Sequence, residues 1–554
     1  MKNNNKGALI GVPVLIVAAL LFGLLLGSQL PTHDRIYPRQ TEIPGVGKLA
    51  EVMELLRDNY VDPISPDSLI EDILPEMLKN LDPHTVYISG EDIDDANTEI
   101  EGSFYGIGIS YQLMNDTITI LEIISGGPSE RVGLMAGDRI IEIDDSVMVE
   151  KGLSANNVLK LLRGPEGTKV KVGIKRNGTP DLLSYEIIRG EIPINSIDAS
   201  YMITPTTGYI KVNTFSRNTF DEFLTAMILL KSSGAENFIL DLRGNGGGLL
   251  GTAIAMANEF LQAADAIVET RGRNEITNDL VFANGLGSCK RGQLVVLIDE
   301  FSASASEIVA GAIQDNDRGL IIGRRSFGKG LVQIQETLSD SSALRITTQR
   351  YYTPSGRCIQ KPFTKGNFDN YDLEILDRYN SGEAFSADSA KFDKSQIFYT
   401  AAGRTVYGGG GIMPDKFVPA DTSNLTGWYT QVVNAGLLHK FAFKYADENR
   451  TRLDQASSSS EILTLLPSDG ALLSEFVRYA ADNGIATRWY YINISRPLLL
   501  TNIKALIARD ILGSAAFYEI HNTSDNVVAE ALRAIADGSA SCIANEQAGN
   551  TQRD

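Results

Sequence analysis

Histidine is nearly missing from this chain. Of 554 residues, only His33, His84, His439 and His521 are histidine, and none lies between residues 85 and 438. Any hydrolytic chemistry built in that interval must find its general base elsewhere. Cysteine is equally sparse. Cys289, Cys358 and Cys542 are far apart and odd in number, so they form neither a disulfide framework nor a zinc spacing. No His-Glu-x-x-His pair and no cluster of metal-ligand residue types occurs, so neither a metal nor a cofactor is expected. Positive charge is in deficit: 50 Lys and Arg face 69 Asp and Glu, a net charge of -19. That balance argues against a nucleic-acid partner, which would call for a basic patch. The acidic surface serves solubility.

What is present begins with one long apolar run. Lys2 and Lys6 precede an almost uninterrupted stretch from Gly7 to Gly27. A secretory signal core is usually about 7–15 residues, whereas a spanning helix needs about 20. Pro13 sits near its start, where a membrane helix tolerates it. No Ala-x-Ala site follows. The run therefore reads as an uncleaved membrane anchor in preference to a cleaved signal. Its lysines stay in the cytoplasm and the remainder lies outside.

Length suggests three or four domains at about 150 residues each, and a hydrophobic fraction of 43% is enough to fill their cores. The expected architecture is a multidomain α+β and α/β chain. Residues 1–30 form the anchor. Residues 31–99 form a polar tether and a helical region, with Leu49, Val52, Met53, Leu55 and Leu56 at helical spacing and a second periodic segment from Leu69 to Leu81. Leu81-Asp82-Pro83-His84-Thr85 breaks that pattern, and His84 reads as a turn residue. Residues 100–191 alternate short β-rich runs (Ile107–Ile109, Ile118–Ile120, Ile140–Ile143, Val170–Val172) with turns and one helix, Ser154–Leu162. They read as a small, partly open barrel.

Residues 192–420 alternate strand and helix signals, the pattern of helices packed on a central sheet. Strands are expected over Gly208–Val212, Phe238–Leu242, Leu294–Ile298 and Gly319–Ile322. Helices are expected over Phe220–Lys231, 251–263 and 305–316. Residues 361–405 are polar and read as an insertion. Residues 421–554 are mainly helical by periodicity.

Chemistry points to one stretch, Phe301 to Gln333. The serine cluster Ser302-Ala303-Ser304-Ala305-Ser306 opens a helix, and Lys329 follows in the turn Ser326-Phe327-Gly328-Lys329-Gly330. A serine hydroxyl is inert until something accepts its proton. With no histidine nearby, lysine is the base available. Its free pKa is about 10.4, so it must be desolvated to act near neutrality. Phe327, Leu331 and Val332 supply apolar flanks. Gln333 lies four residues on, and on a strand over 329–335 the two side chains would share a face. The helix start offers free N–H groups to a developing oxyanion, and Gly246-Gly247-Gly248 can bring another N–H close.

Gly323 to Lys329 also matches most of a phosphate-binding loop. That reading fails because Gly330 replaces the Ser/Thr that holds Mg²⁺, and the residues that follow read as strand, not helix. Taken alone, a serine run is more often a loop and a helix cap, and a lysine after Phe-Gly is more often a surface turn.

The stretch resembles the C-terminal processing peptidases, or tail-specific proteases. Their pattern is reproduced in Ser302 to Glu307, Gln314-Asp315 and Phe327 to Gln333. Asp241-Leu242-Arg243-Gly244-Asn245-x-Gly247-Gly248, Tyr352 to Arg357 and Gly411-Ile412-x-Pro414-Asp415 extend the likeness over roughly residues 46–420. The resemblance implies a serine endopeptidase with Ser304 as nucleophile, Lys329 as base and Gln333 as its orienting partner. It implies an oxyanion hole from the N–H of Ala305 and of one glycine of 246–248, with Gly247 preferred. Asp315 matches a family aspartate, for which a helix-end role is favoured over catalysis.

Residues 102–190 resemble the family's PDZ domain. Tyr105-Gly106-Ile107-Gly108-Ile109 would capture a peptide's C-terminal carboxylate while the peptide adds a strand. A PDZ domain kept only as a structural gate is the plainer alternative.

The implied partners are protein substrates with exposed C-terminal tails, in the cell envelope of a bacterium. The catalytic part would lie in the periplasm. A homo-oligomer or a substrate-presenting adaptor is also compatible. A non-catalytic PDZ scaffold is the rival reading. It predicts loss of Ser304, Lys329 or Gln333, and all three are present. Residues 421–554 carry no family motif, leaving oligomerisation and substrate access both open.

Overall fold

The computed structural model describes residues 45–541, apart from 115, 125, 150, 151, 153, 367 and 390–394. The apolar run expected to be an anchor and Cys542 lie outside the described residues. Among the described residues, no helix is long and apolar enough to cross a membrane.

Two bodies divide near residue 77. The first carries the helix Val46–Asn59 and most of the helix Pro66–Leu78. Pro66 opens the second helix at a position where its missing N–H costs nothing. The periodic residues of both helices, Leu49, Val52, Leu55, Ile70 and Ile73, are exposed.

The second body contains the barrel anticipated from the short β-rich runs. Five antiparallel strands run in the order Ile109–Met114, Thr117–Ile123, Arg139–Ile143, Lys169–Lys175 and Leu183–Ile188. Ile118, Ile120, Ile140, Val158, Val172 and Ile187 fill its centre. The helix Ala155–Leu162 is capped by Ser154, whose Oγ accepts the Asn157 N–H at 3.2 Å. One expectation is corrected here. Ile107 and Gly108 are not strand but the connection between Ser103–Gly106 and Ile109–Met114. Gly108 has φ +77°, which bends the chain out of extended geometry at that point.

The α/β core is a six-stranded sheet in the order Ile197–Thr204, Thr207–Val212, Asn237–Asp241, Leu294–Ile298, Leu320–Gly323 and Lys416–Phe417. Its first pair is antiparallel and the rest are parallel. Parallel strands buried on both faces read as continuous apolar runs, and Leu294–Ile298 is buried at every position. Helices Thr219–Ser232, Leu250–Asn258 and Ala305–Asp315 pack into the core beside this sheet. The helix expected over 251–263 ends earlier, at Asn258. Phe260 and Leu261 leave it and are buried in the turn.

A second sheet combines Val86–Ile88, Ala343–Tyr352, Ala266–Gly272 and Asp279–Phe282, with Leu331–Thr337 paired antiparallel to Ala343–Tyr352. The polar segment 361–405 is not an open loop. It forms the helix Asp369–Asn380 and a hairpin, Ile397–Tyr399 with Thr405–Tyr407. Its charges are paired inward, Arg378 and Lys361 both meeting Glu374. Residues 427–536 are a run of helices with their own apolar core, in which Trp428, Phe441 and Phe476 take part. The last helix, Asn526–Ala536, lays Val527, Val528 and Ala531 against Tyr209, Ile239 and Val295 of the central sheet.

Candidate active site

Leaving the buried strand Leu294–Ile298, the chain turns through 299–303 and enters the helix Ala305–Asp315. Ser304 sits at that entry with φ +54° and ψ -113°. A non-glycine residue at such angles stores about 1–3 kcal/mol and persists only where its surroundings hold it. The three serines of the cluster are not equivalent. Ser302 Oγ donates to Leu242 O at 2.9 Å, and Ser306 Oγ donates to Asn245 O at 3.0 Å. Both are fully buried. Ser304 is half-buried, and its hydroxyl is committed to no main-chain carbonyl.

Glu307, fully buried one turn on, gathers the loop around itself. Its Oε2 accepts the Ser304 N–H at 2.8 Å and the Lys329 N–H at 2.9 Å. Its Oε1 accepts the Ser326 hydroxyl at 2.6 Å and the Gly328 N–H at 2.7 Å. Burial pushes its pKa up, while these four donors oppose the shift. One carboxylate oxygen thus fixes the backbone of the expected nucleophile and of the expected base together. Tyr351 adds a second tie. Its hydroxyl lies 2.6 Å from Lys329 O and 3.1 Å from Ser304 O.

Lys329 is mostly buried, and its pKa is lowered. Burial is the largest cause, followed by the charge of Arg345, against opposing pulls from Glu307 and Asp82. Its Nζ donates to Gln333 Oε1 at 3.1 Å. The route to that bond differs from the expectation. Lys329 precedes the strand, which starts at Leu331, so the two residues do not simply share a strand face. A register irregularity between Val332 and Gln333 accompanies the turn there. The Gln333 amide donates in turn to the carbonyl oxygen of His84. No hydrogen bond joins Ser304 Oγ to Lys329 Nζ here; catalytic contacts of this kind commonly tighten only with substrate bound.

The glycine run corrects one assignment. The Gly247 N–H donates to Asn245 Oδ1 at 2.8 Å, so it is already engaged. Gly247 instead makes room. At φ +104°, a Cβ placed there would stand 2.7 Å from Ser304 Cβ and 2.8 Å from Ala303 O. The N–H groups of Ala305, Gly246 and Gly248 have no protein acceptor among the described residues. The loop is held from behind by Arg243, bonded to buried Asp241 at 2.6 Å and to Asp525 at 2.8 Å. Asp525 also caps the last helix.

Asp315 meets Arg357 at 2.7 Å and accepts the Ser355 N–H at 3.1 Å, both ends buried, which is a structural role. The His84 ring faces Tyr371 OH at 3.0 Å, and its pKa is pushed down to about 3, chiefly by burial and next by the charge of Lys329. It is neutral through the physiological range. Among the described residues, no group of His, Cys, Asp and Glu is arranged to hold a metal ion.

In the small barrel, Tyr105 is exposed, whereas Gly106, Ile107 and Gly108 are buried. Among the described residues, the strand that Ile109 begins is an edge strand, paired on one side with Thr117–Ile123. Its other edge offers unpaired main-chain groups to an added strand.

Glu307 and His84 were not singled out as functional from sequence. The Ser304-to-Glu307 spacing is a capping-box signature and could have flagged the first. Nothing local flags the His84 carbonyl, which meets Gln333 across 249 residues.

Known families match three stretches of the chain. Residues 206–367 match Peptidase family S41, and residues 106–187 match the PDZ domain. Residues 428–513 match DUF8443, a family of unknown function. The chain is 37% identical over 343 residues to a carboxy-terminal-processing protease of Bartonella bacilliformis, covering 61% of this chain and 76% of that one. It is 32% identical over 345 residues to the carboxy-terminal processing protease CtpA of Bacillus subtilis, covering 61% and 73%. Among solved structures, a photosystem II D1 C-terminal processing protease is 28% identical, with a TM-score of 0.31, over 56% of this chain and 89% of that one. The chain belongs to peptidase family S41 and is a carboxy-terminal-processing serine protease that carries a PDZ domain.

Proposed function

We propose that this protease cuts cell-envelope proteins whose C-terminal tails dock on its PDZ domain, using Ser304 as nucleophile and Lys329 as general base. The observation that carries the catalytic assignment is the joint hold of Glu307 Oε2 on the N–H groups of Ser304 and Lys329. Neutral Lys329 takes the hydroxyl proton as Ser304 Oγ bonds to the scissile carbonyl carbon. The oxyanion faces the Ala305 N–H and one free N–H of Gly246 or Gly248, beside the space that Gly247 leaves open. Lys329 returns the proton to the departing amine as the C–N bond breaks. Water, deprotonated by Lys329, then attacks the acyl carbon, and Lys329 returns that proton to Ser304 Oγ as the acid is released. Gln333 takes up one Lys329 hydrogen and so directs the lone pair elsewhere.

Tail recognition is supported by the edge strand starting at Ile109 and by the buried turn Gly106-Ile107-Gly108 beside exposed Tyr105. A pair of otherwise identical peptides, one ending in a free carboxylate and one amidated, tests it. The amidated peptide should be cut at least about tenfold less efficiently, mainly through KM. Equal kcat/KM values would end the tail reading.

For location, the 7–27 run and its flanking lysines support an inner-membrane anchor with the catalytic part in the periplasm. Fractionation should recover the full chain with the inner membrane. A wholly soluble chain would overturn this placement.

A further inference from the structure

We propose that the inserted segment 361–405 is part of the catalytic apparatus, with Tyr371 and Arg378 acting as positioning residues for Lys329. This rests on the reading of Lys329 as the base.

Lys329 is flanked by Gly328 and Gly330, the former at φ +92°. A lysine between glycines has a backbone that is costly to immobilise, so its order must come from outside the loop. The residues that open the insertion, and the helix inside it, supply that order. Gly328 O accepts the Lys361 N–H at 2.9 Å, and the Gly330 N–H donates to Gln360 Oε1 at 2.9 Å. The neighbours on both sides of the base are therefore pinned by adjacent residues of one segment.

Arg378, buried on the helix Asp369–Asn380, donates to Ser326 O at 2.7 Å, Phe327 O at 3.0 Å and Arg325 O at 3.3 Å. Three successive carbonyls of the approach to Lys329 thus converge on one guanidinium. Glu374 holds that guanidinium at 2.8 Å. Lys361 Nζ lies 3.8 Å from the Phe327 ring centre and 4.2 Å from that of Tyr371, binding the aromatic wall into the same cluster.

Tyr371 reaches the far side of the base. Gln360 Nε2 donates to its hydroxyl at 3.2 Å, and that hydroxyl lies 3.0 Å from His84 Nε2, to which it donates when the ring carries its proton on Nδ1. His84 is neutral, so Nε2 can accept. The carbonyl of the same His84 receives the Gln333 amide N–H. That bond fixes which end of the amide faces Lys329. Reversed, Gln333 would offer N–H groups to the lysine lone pair and compete with the serine proton.

The groups facing Lys329 are Glu307 from the helix Ala305–Asp315, Arg345 from the strand Ala343–Tyr352, and Asp82 and neutral His84 from the turn before Val86. Neither Tyr371 nor Arg378 is among its charged partners. Their loss acts by loosening the site and hydrating the ammonium, which weakens the burial that lowers the lysine pKa.

The test uses the full chain, a fluorogenic tail peptide and the variants Tyr371→Phe, Arg378→Ala and Lys329→Met. Tyr371→Phe should lower kcat about tenfold with KM within about twofold, and should move the acid limb of the kcat profile to higher pH. Arg378→Ala should lower kcat about 100-fold with the limb moved the same way. If Arg378→Ala fails to fold, Tyr371→Phe decides. A wild-type kcat and an unmoved acid limb in Tyr371→Phe overturn the proposal. So does a loss that merely tracks the unfolded fraction. Activity surviving in Lys329→Met would instead remove the base, a failure of the prior reading that the first two variants cannot mimic.

Discussion

Ser304→Ala removes roughly four to six orders of magnitude from kcat while leaving the fold in place. In the proposed mechanism the size follows from deleting the atom that forms the covalent bond; no neighbour can replace it. The preserved fold follows from how Ser304 is held. Its N–H belongs to Glu307 and its carbonyl lies beside Tyr351, and alanine keeps both. The melting temperature should shift by no more than about 2 °C, since no buried hydroxyl partner is lost. The neighbouring serines should behave in the opposite way. Ser302→Ala and Ser306→Ala each remove a buried hydrogen bond, to Leu242 O or Asn245 O, while each carbonyl keeps a backbone N–H donor, so the cost is about 0.5–1.5 kcal/mol. They should lose stability and keep most of their kcat. A scan in which Ser302 or Ser306 proved indispensable and Ser304 dispensable would reverse the assignment.

Lys329→Met comes next in size, with kcat falling at least about 10⁴-fold. Methionine keeps the apolar stem and omits the amine, so geometry survives while the proton acceptor does not. In the parent enzyme, kcat should rise with pH through the lowered pKa of Lys329 and level off above it, because the neutral amine is the active form in the proposed mechanism. A profile flat from pH 5 to 9 would exclude lysine as the base.

Stability carries the matching signature. A buried ammonium costs free energy, and that cost is complete below the folded pKa. Between the folded pKa and the unfolded value of about 10.4, the unfolded chain binds more protons, so stability rises with pH. Lys329→Met lacks that slope and should melt no lower than the parent at neutral pH. Denaturation measured across pH checks this. A methionine variant much less stable than the parent would mean that Lys329 is held as a charged structural residue.

Legibility in the sequence was uneven, and the reasons are physical. Ser304, Lys329 and Gln333 share one short stretch, and the want of histidine in it pointed to lysine. The α/β strands were readable because strands buried on both faces are apolar throughout, as in Leu294–Ile298. Periodicity extends the helix over 251–263 beyond its end at Asn258, because Phe260 and Leu261 are buried in a turn as firmly as a helix would bury them.

Gly247 shows a different limit. Sequence says that glycine permits close approach but not which group approaches. Here the Cα faces Ser304 while the N–H turns to Asn245. The segment 361–405 is polar, but Lys361, Arg378, Glu383 and Arg404 spend their charges on ion pairs within the fold, which composition cannot distinguish from exposure to water. His84 contributes its backbone oxygen, an atom every residue has, so its identity carried no signal.

The pairing of Arg243 with Asp525 has a consequence in time. These residues stand 282 positions apart. Synthesis delivers them in order. A growing polypeptide that has already made its serine and its lysine still holds Arg243 through Asp241 alone. The second anchor of the glycine loop arrives only with Asp525 and the helix Asn526–Ala536 that it caps, so the site receives this brace long after its serine and its lysine have been made.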